Sequence, residues 1–262
     1  MFEPHIIESE LKLKMDALFA YRHFPTIIGP SYNENNDFVK RLYQLQASIY
    51  HLDAHLEAHW NTSENALHFH WTNMQQHLTA FGISENDVEN YLSHIAKYQK
   101  HELDLRKGIF PMKYDMEYFY FYKSCDVKLL RRLIYELWLD DSKQFGSLSD
   151  WRYFDLITEV NDDVEDIFED MDYINGNSFL LSILMEGKDA TSQKFLDFIV
   201  NVKNKVKKKI HVEKRSFVQS IHKLTLQNAD TTIELMKKNL TLLTEDKMMS
   251  SELFKHINFA KV

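Results

Sequence analysis

Residues 155 to 172 read DLITEVNDDVEDIFEDMD, and this stretch decides the fold class. It holds nine carboxylates and no basic residue. An acidic run alone describes a solvated surface. Here it is threaded by Leu156, Ile157, Val160, Val164, Ile167, Phe168 and Met171, which recur every three or four residues as on a buried helical face. The spacing predicts one helix across the run, with carboxylates stacked beside an apolar stripe.

The rest of the chain agrees with a helical reading. Only 6 glycines and 4 prolines occur in 262 residues, too few for a sheet protein with many tight turns. Apolar residues make up 44% and aromatic residues 13%, which is enough for a substantial core. Helical patterns are expected over about 8–24, 38–60, 66–81, 88–105, 116–138, 155–172, 179–186, 195–221 and 230–243. Pro25, Gly29, Pro30, Gly82, Gly108, Pro111, Gly146 and Gly187 punctuate them, and Ser84 is placed to cap the helix after Gly82. No repeat or linker divides the chain, so residues 1–262 are read as a single all-α, bundle-like domain.

Composition also narrows the function. A formal charge of -8 argues against a general nucleic-acid binder. One cysteine, Cys125, allows no internal disulfide. The N-terminal sequence lacks a signal-peptide pattern, and no apolar run approaches the ~20 residues needed to span a bilayer. A cytoplasmic protein without stable membrane insertion is the expectation, with a homodimer left open.

At about 100° per residue, Asn161, Glu165 and Glu169 line one flank of the acidic helix. Asp162, Asp166 and Asp170 form a parallel row one step round, and Asp163 lies at the opposite edge of the stripe. Like charges four apart repel, bound cations offset the repulsion, and oxygen ligands of this kind suit Mg²⁺. Upstream, Asp53-x-x-x-Glu57 puts two carboxylates on one face of another helix. His51, His55 and His59 share its spacing but lack the Glu-x-x-His pairs of a diiron bundle.

Asn161-Asp162-x-x-Glu165-x-x-x-Glu169 resembles the second metal motif of class I terpene synthases, with Glu165 where that family has Ser or Thr. The segment after it, from Asn177 through an apolar helix to Glu186-Gly187, is similar too. A second register, Asp162-Asp163-x-x-Asp166, resembles the second motif of trans-prenyl diphosphate synthases. Asp53 and Glu57 resemble a reduced first motif, about one hundred residues upstream. Arg131 and Arg132 resemble the family's diphosphate-sensing arginine. One lysine of the run Lys203 to Lys209 is a further candidate for the phosphates, while the family's C-terminal Arg-Tyr pair is absent.

The resemblance implies an isoprenoid synthase-like bundle around a central apolar cavity. Metal ligands are then expected among Asp53, Glu57, Asn161, Asp162, Glu165, Asp166 and Glu169, holding three Mg²⁺ with a bound prenyl diphosphate. Phe69, Trp71, Tyr118, Phe121, Tyr122 and Trp151 are candidate cavity aromatics. The implied activity is ionisation of an allylic diphosphate with cyclisation or other terpene formation. A prenyl-coupling enzyme of the trans-prenyltransferase or squalene/phytoene synthase type, and a non-catalytic helical scaffold, are the alternatives. The scaffold reading predicts that Asp53 and Glu57 do not face Asn161 and Glu169, with no polar-mouthed apolar cavity between them; the synthase reading predicts both the facing and the cavity.

Overall fold

The computed structural model describes residues 8–33, 35–140 and 143–256. Among them there is no strand, and no helix is long and apolar enough to cross a membrane. In chain order the helices are α1 (Ser9–Tyr21), α2 (Phe24–Ile28), α3 (Asp37–Ala58), α4 (Glu64–Ala80), α5 (Glu85–Leu105), α6 (Met116–Lys123), α7 (Cys125–Leu133), α8 (Arg152–Glu165), α9 (Ser178–Glu186), α10 (Lys188–Val212), α11 (Ser216–Leu242), α12 (Glu245–Met249) and α13 (Glu252–His256).

Local chemistry sets these boundaries. The Asn36 side chain caps α3 by accepting from the amides of Phe38 and Val39 at 2.9 and 3.2 Å. Val39, Leu42, Leu45, Ile49, Leu52 and Leu56 then form its buried stripe. At the far end, the Arg106 guanidinium donates to the carbonyls of Leu56, His59 and Trp60, which the helix leaves without partners. Asn177 caps α9 through the Leu180 amide at 2.8 Å. Ser84 does stand at the head of α5, but its hydroxyl donates to the Asp87 carboxylate rather than capping a backbone amide.

α8 is the central helix. It packs on α6, α9, α10 and most extensively on α11, and ten of its residues are buried. Thr232 of α11 donates to Asn161 at 2.9 Å, and Asn239 donates to the Val164 carbonyl at 2.7 Å. Two apolar cores flank it: one gathers Leu42, Leu52, Leu92, Leu130 and Trp151, the other Ile157, Val164, Phe179, Ile199 and Met236.

Two expectations are corrected. The acidic helix ends as an α-helix at Glu165 and continues as two 3₁₀ turns, Asp166–Phe168 and Asp170–Asp172. Asn177 Nδ2 takes the Asp163 carbonyl at 2.8 Å and Asn239 Nδ2 takes that of Val164. These amides replace the i+4 donors that a continuing helix would supply. The expected helix 195–221 is instead α10, starting at Lys188, and the break falls at Glu213 to Arg215. There the Glu213 carboxylate accepts the amides of Lys214 and Arg215 and the Arg215 Nε, at 2.8–2.9 Å. A carboxylate that binds its own following amides stops a helix without glycine or proline.

Candidate functional site: an acid-rimmed cavity between α3 and α8

α3 and the acidic segment face each other across a cavity of about 250 Å³. Asp53 and Glu57 line it from α3, and Asp162, Asp166 and Asp170 from the opposite side. Glu159 and Asp126 complete a lining of seven carboxylates, against two cations, Arg22 and Lys123. Leu18, Ile49, Leu52, Leu56, Ile95 and Val127 supply the apolar wall, and Tyr50 and Tyr98 the aromatic faces.

Each charged group is held by its element. Arg22, at the end of α1, is buried and donates to Glu159 at 2.7 Å and Asp162 at 3.2 Å, with Thr158 also in contact. Lys123 pairs with Asp163, which is fully buried and also accepts from the Tyr120 hydroxyl at 2.7 Å and the Ser178 amide at 2.9 Å. Asp163 therefore ties α6, α8 and α9 together and does not line the cavity. Tyr98 donates to Asp53 at 3.2 Å, and Asn177 to Asp170 at 2.6 Å. The Ile174 amide donates to the Glu57 carbonyl at 3.0 Å, which docks the loop after the acidic segment onto the end of α3.

The electrostatics follow from too many carboxylates in too little water. Burial pushes Asp53 up to about 6 and Glu57 up to about 9, with Asp53 itself adding to the shift at Glu57. Burial and then Asp170 push Asp166 up to about 7. Burial raises Asp162 to about 6 and Glu159 to about 8, because one guanidinium shared among several carboxylates does not offset their desolvation. Glu102, buried behind the rim, is raised to about 7. A cation between the two walls would lower all of these.

The donor set suits a hard, oxygen-seeking ion. Among the described residues no three side chains form a ready-made chelate. At the end of α3, His55 and His59 stack on each other with centroids 4.5 Å apart.

The structure distributes the candidate residues over three places. Asp53, Glu57, Asp162 and Asp166 meet in the cavity. Asn161, Glu165 and Glu169 line a separate cavity of about 620 Å³ toward α1 and α11, to which Asp162 and Asp166 also contribute. Asn161 is there engaged with Glu165 at 2.9 Å and with Thr232. Arg131 and Arg132 line a third cavity, on the α5–α7 side. Phe69 is exposed, Trp151 is core, and none of the six candidate aromatics lines the acid-rimmed cavity. Arg22, Lys123, Glu159, Tyr50 and Tyr98 were not foreseen. Lys123 could have been suspected as a lone cation inside an aromatic helix; Arg22 carries no sequence signal beyond ending its helix.

Comparison with protein-family models, with curated proteins and with solved structures finds no match. The described residues form an all-α fold with an acid-rimmed cavity between α3 and the acidic segment.

Proposed function

We propose that this protein is a class I isoprenoid synthase-like enzyme that ionises a short allylic prenyl diphosphate in the acid-rimmed cavity. The observation that carries the reading is the meeting of Asp53 and Glu57 with Asp162, Asp166 and Asp170 on opposite walls of one cavity. Seven carboxylates line it against two cations, Arg22 and Lys123, so a bound cation would offset the remaining negative charge.

Asp53, Glu57, Asp162, Asp166 and Asp170 would hold Mg²⁺. When bound, the metal supplies positive charge to the diphosphate as it leaves. Arg22 and Lys123 offer additional positive charge at the same rim. The apolar wall excludes water from the allylic cation, and the faces of Tyr50 and Tyr98 are suited to stabilise it. A cavity of about 250 Å³ is matched to a short prenyl chain.

The test is Mg²⁺-dependent release of inorganic diphosphate from dimethylallyl, geranyl, farnesyl and geranylgeranyl diphosphate, each with and without isopentenyl diphosphate. Release that is lost in Asp53→Asn and Asp166→Asn variants supports the reading, and the organic product separates a terpene-forming enzyme from a coupling enzyme. A folded protein that releases nothing from any substrate returns the scaffold alternative.

A further inference from the structure

The third cavity lies between α5, α7 and the start of α8, and has a volume of about 460 Å³. Small-molecule sites commonly span roughly 300–1,000 Å³. Its charge is the reverse of the acid-rimmed one. Lys128, Arg131, Arg132 and Arg152 line it, with Asp155 the single carboxylate in the lining. Asp155 is already committed to Arg131 at 2.5 Å. Arg132 pairs with Glu136, and Arg152 with Glu117, on the outer side of the site.

Two of the cations are incompletely satisfied by the fold. Arg131 is 1% exposed, and its Nε and Nη2 find no hydrogen-bond partner among the described residues. Its guanidinium rests on the Trp151 ring at 4.2 Å, which fixes its plane. The Lys128 ammonium touches the Phe121 carbonyl and sits 3.1 Å from the centre of the Phe121 ring, with no carboxylate partner among the described residues. A half-buried ammonium without a carboxylate partner is unused donor capacity at the cavity wall, and the buried Arg131 guanidinium adds positive charge behind it. Burial, then Lys128 and Arg132, push the lining His94 down to about 4.

We propose that this basic cavity binds a small phosphate-bearing anion, with Lys128 and Arg152 as its donors and the buried Arg131 adding positive charge from behind the wall. Planar guanidinium groups match phosphate oxygens in pairs, and Lys128 adds a point charge. Arg132 stacks on Tyr91 at 3.8 Å and closes one side of the mouth. The site is distinct from the acid-rimmed cavity and does not require the activity proposed for it. The two are near neighbours, since Cys125 lines both. Asp155 is also within 3.8 Å of Arg22, so a buried Arg22–Asp155–Arg131 row connects their walls.

The experiment is isothermal titration calorimetry with inorganic phosphate and with inorganic diphosphate as probes, at constant ionic strength, in EDTA and again in Mg²⁺. Saturable binding in EDTA is expected. It should weaken about tenfold or more in Lys128→Gln and in Arg152→Gln, and persist in Asp166→Asn. Arg152 is half exposed, so its variant keeps the test valid if Lys128→Gln perturbs folding. Three results overturn the proposal: no binding of either anion by the folded protein, binding unchanged in both basic variants, or binding that needs Mg²⁺ and is lost in Asp166→Asn. The last would place the anion in the acid-rimmed cavity and support the catalytic reading instead.

Discussion

Glu102→Gln should stabilise the protein in a pH-dependent way. Glu102 lies on α5, is 2% exposed, and its Oε2 has no hydrogen-bond partner among the described residues. The backbone amide of Gly176 donates to it, and a Cβ at Gly176 would stand 2.4 Å from Oε1. Burial, then Asp53, raise Glu102 from 4.5 to about 7. A raised folded-state value means the folded protein holds the proton longer than the unfolded chain does. The stabilisation is complete below about 4.5 and is lost as pH rises through about 7. Each pH step within that window costs about 1.4 kcal/mol, so the penalty grows by about 2.5 kcal/mol between pH 5 and pH 8. Glutamine retains an acceptor for Gly176 and never ionises. Any cost of its extra donors is independent of pH and cancels in the difference. At roughly 2–4 °C per kcal/mol, the variant should gain about 5–10 °C in Tm, relative to wild type, on going from pH 5 to pH 8. The assay is paired thermal and urea unfolding at both pH values in EDTA. A wild-type-to-variant difference that is the same at pH 5 and pH 8 would refute the reasoning.

Lys123→Met strands Asp163 in the interior with only Tyr120 and Ser178 as donors, and should cost about 3–5 kcal/mol in urea unfolding, with Asp163→Asn in the same chain recovering part of it. Millimolar Mg²⁺ should raise Tm more at pH 8 than at pH 5.5, because Asp166 and Glu57, raised to about 7 and about 9, must lose protons to ligate; equal shifts at both pH values would count against a cation in the cavity. If diphosphate release is detected, Asp166→Asn should reduce it about 100-fold or more, whereas Glu169→Gln, facing the other cavity, should reduce it less than about tenfold.

The helical class and most boundaries were legible, because sparse glycine and proline and a 3.6-residue stripe are local signals. The failures came where a distant side chain decides. Nothing within 155–172 says that Asn177 and Asn239 will take the carbonyls of Asp163 and Val164 and end the helix at Glu165. Asp53 and Glu57 were legible as a pair, since i,i+4 spacing fixes their common face. The resemblance implied that they meet Asp162 and Asp166; that Asn161, Glu165 and Glu169 line a different cavity, with Asn161 held by Thr232, depends on the rotation of α8 against α11 and carries no local signal. Arg131 and Arg132 are adjacent in sequence and were taken together. The structure separates their environments: Arg131 is buried against Asp155 and Trp151, and Arg132 is on the surface with Glu136 and Tyr91.

The placement of charge around α8 bears on function more directly than any motif does. Arg22, Arg131, Asp155, Glu159 and Asp163 are each almost fully buried, and Lys123 nearly so. Desolvating six ionisable groups around one helix is a poor route to stability, since apolar residues of similar volume commonly serve as well or better. Elsewhere in the core the interior positions are apolar, as at Leu180 and Leu181 of α9. The buried pairs tie α8 to its neighbours: Arg22 at the end of α1 bonds Glu159 and Asp162, Lys123 of α6 bonds Asp163, and Arg131 of α7 bonds Asp155. Two cavities of opposite charge, sharing the wall at Cys125, are the arrangement this otherwise costly burial sustains.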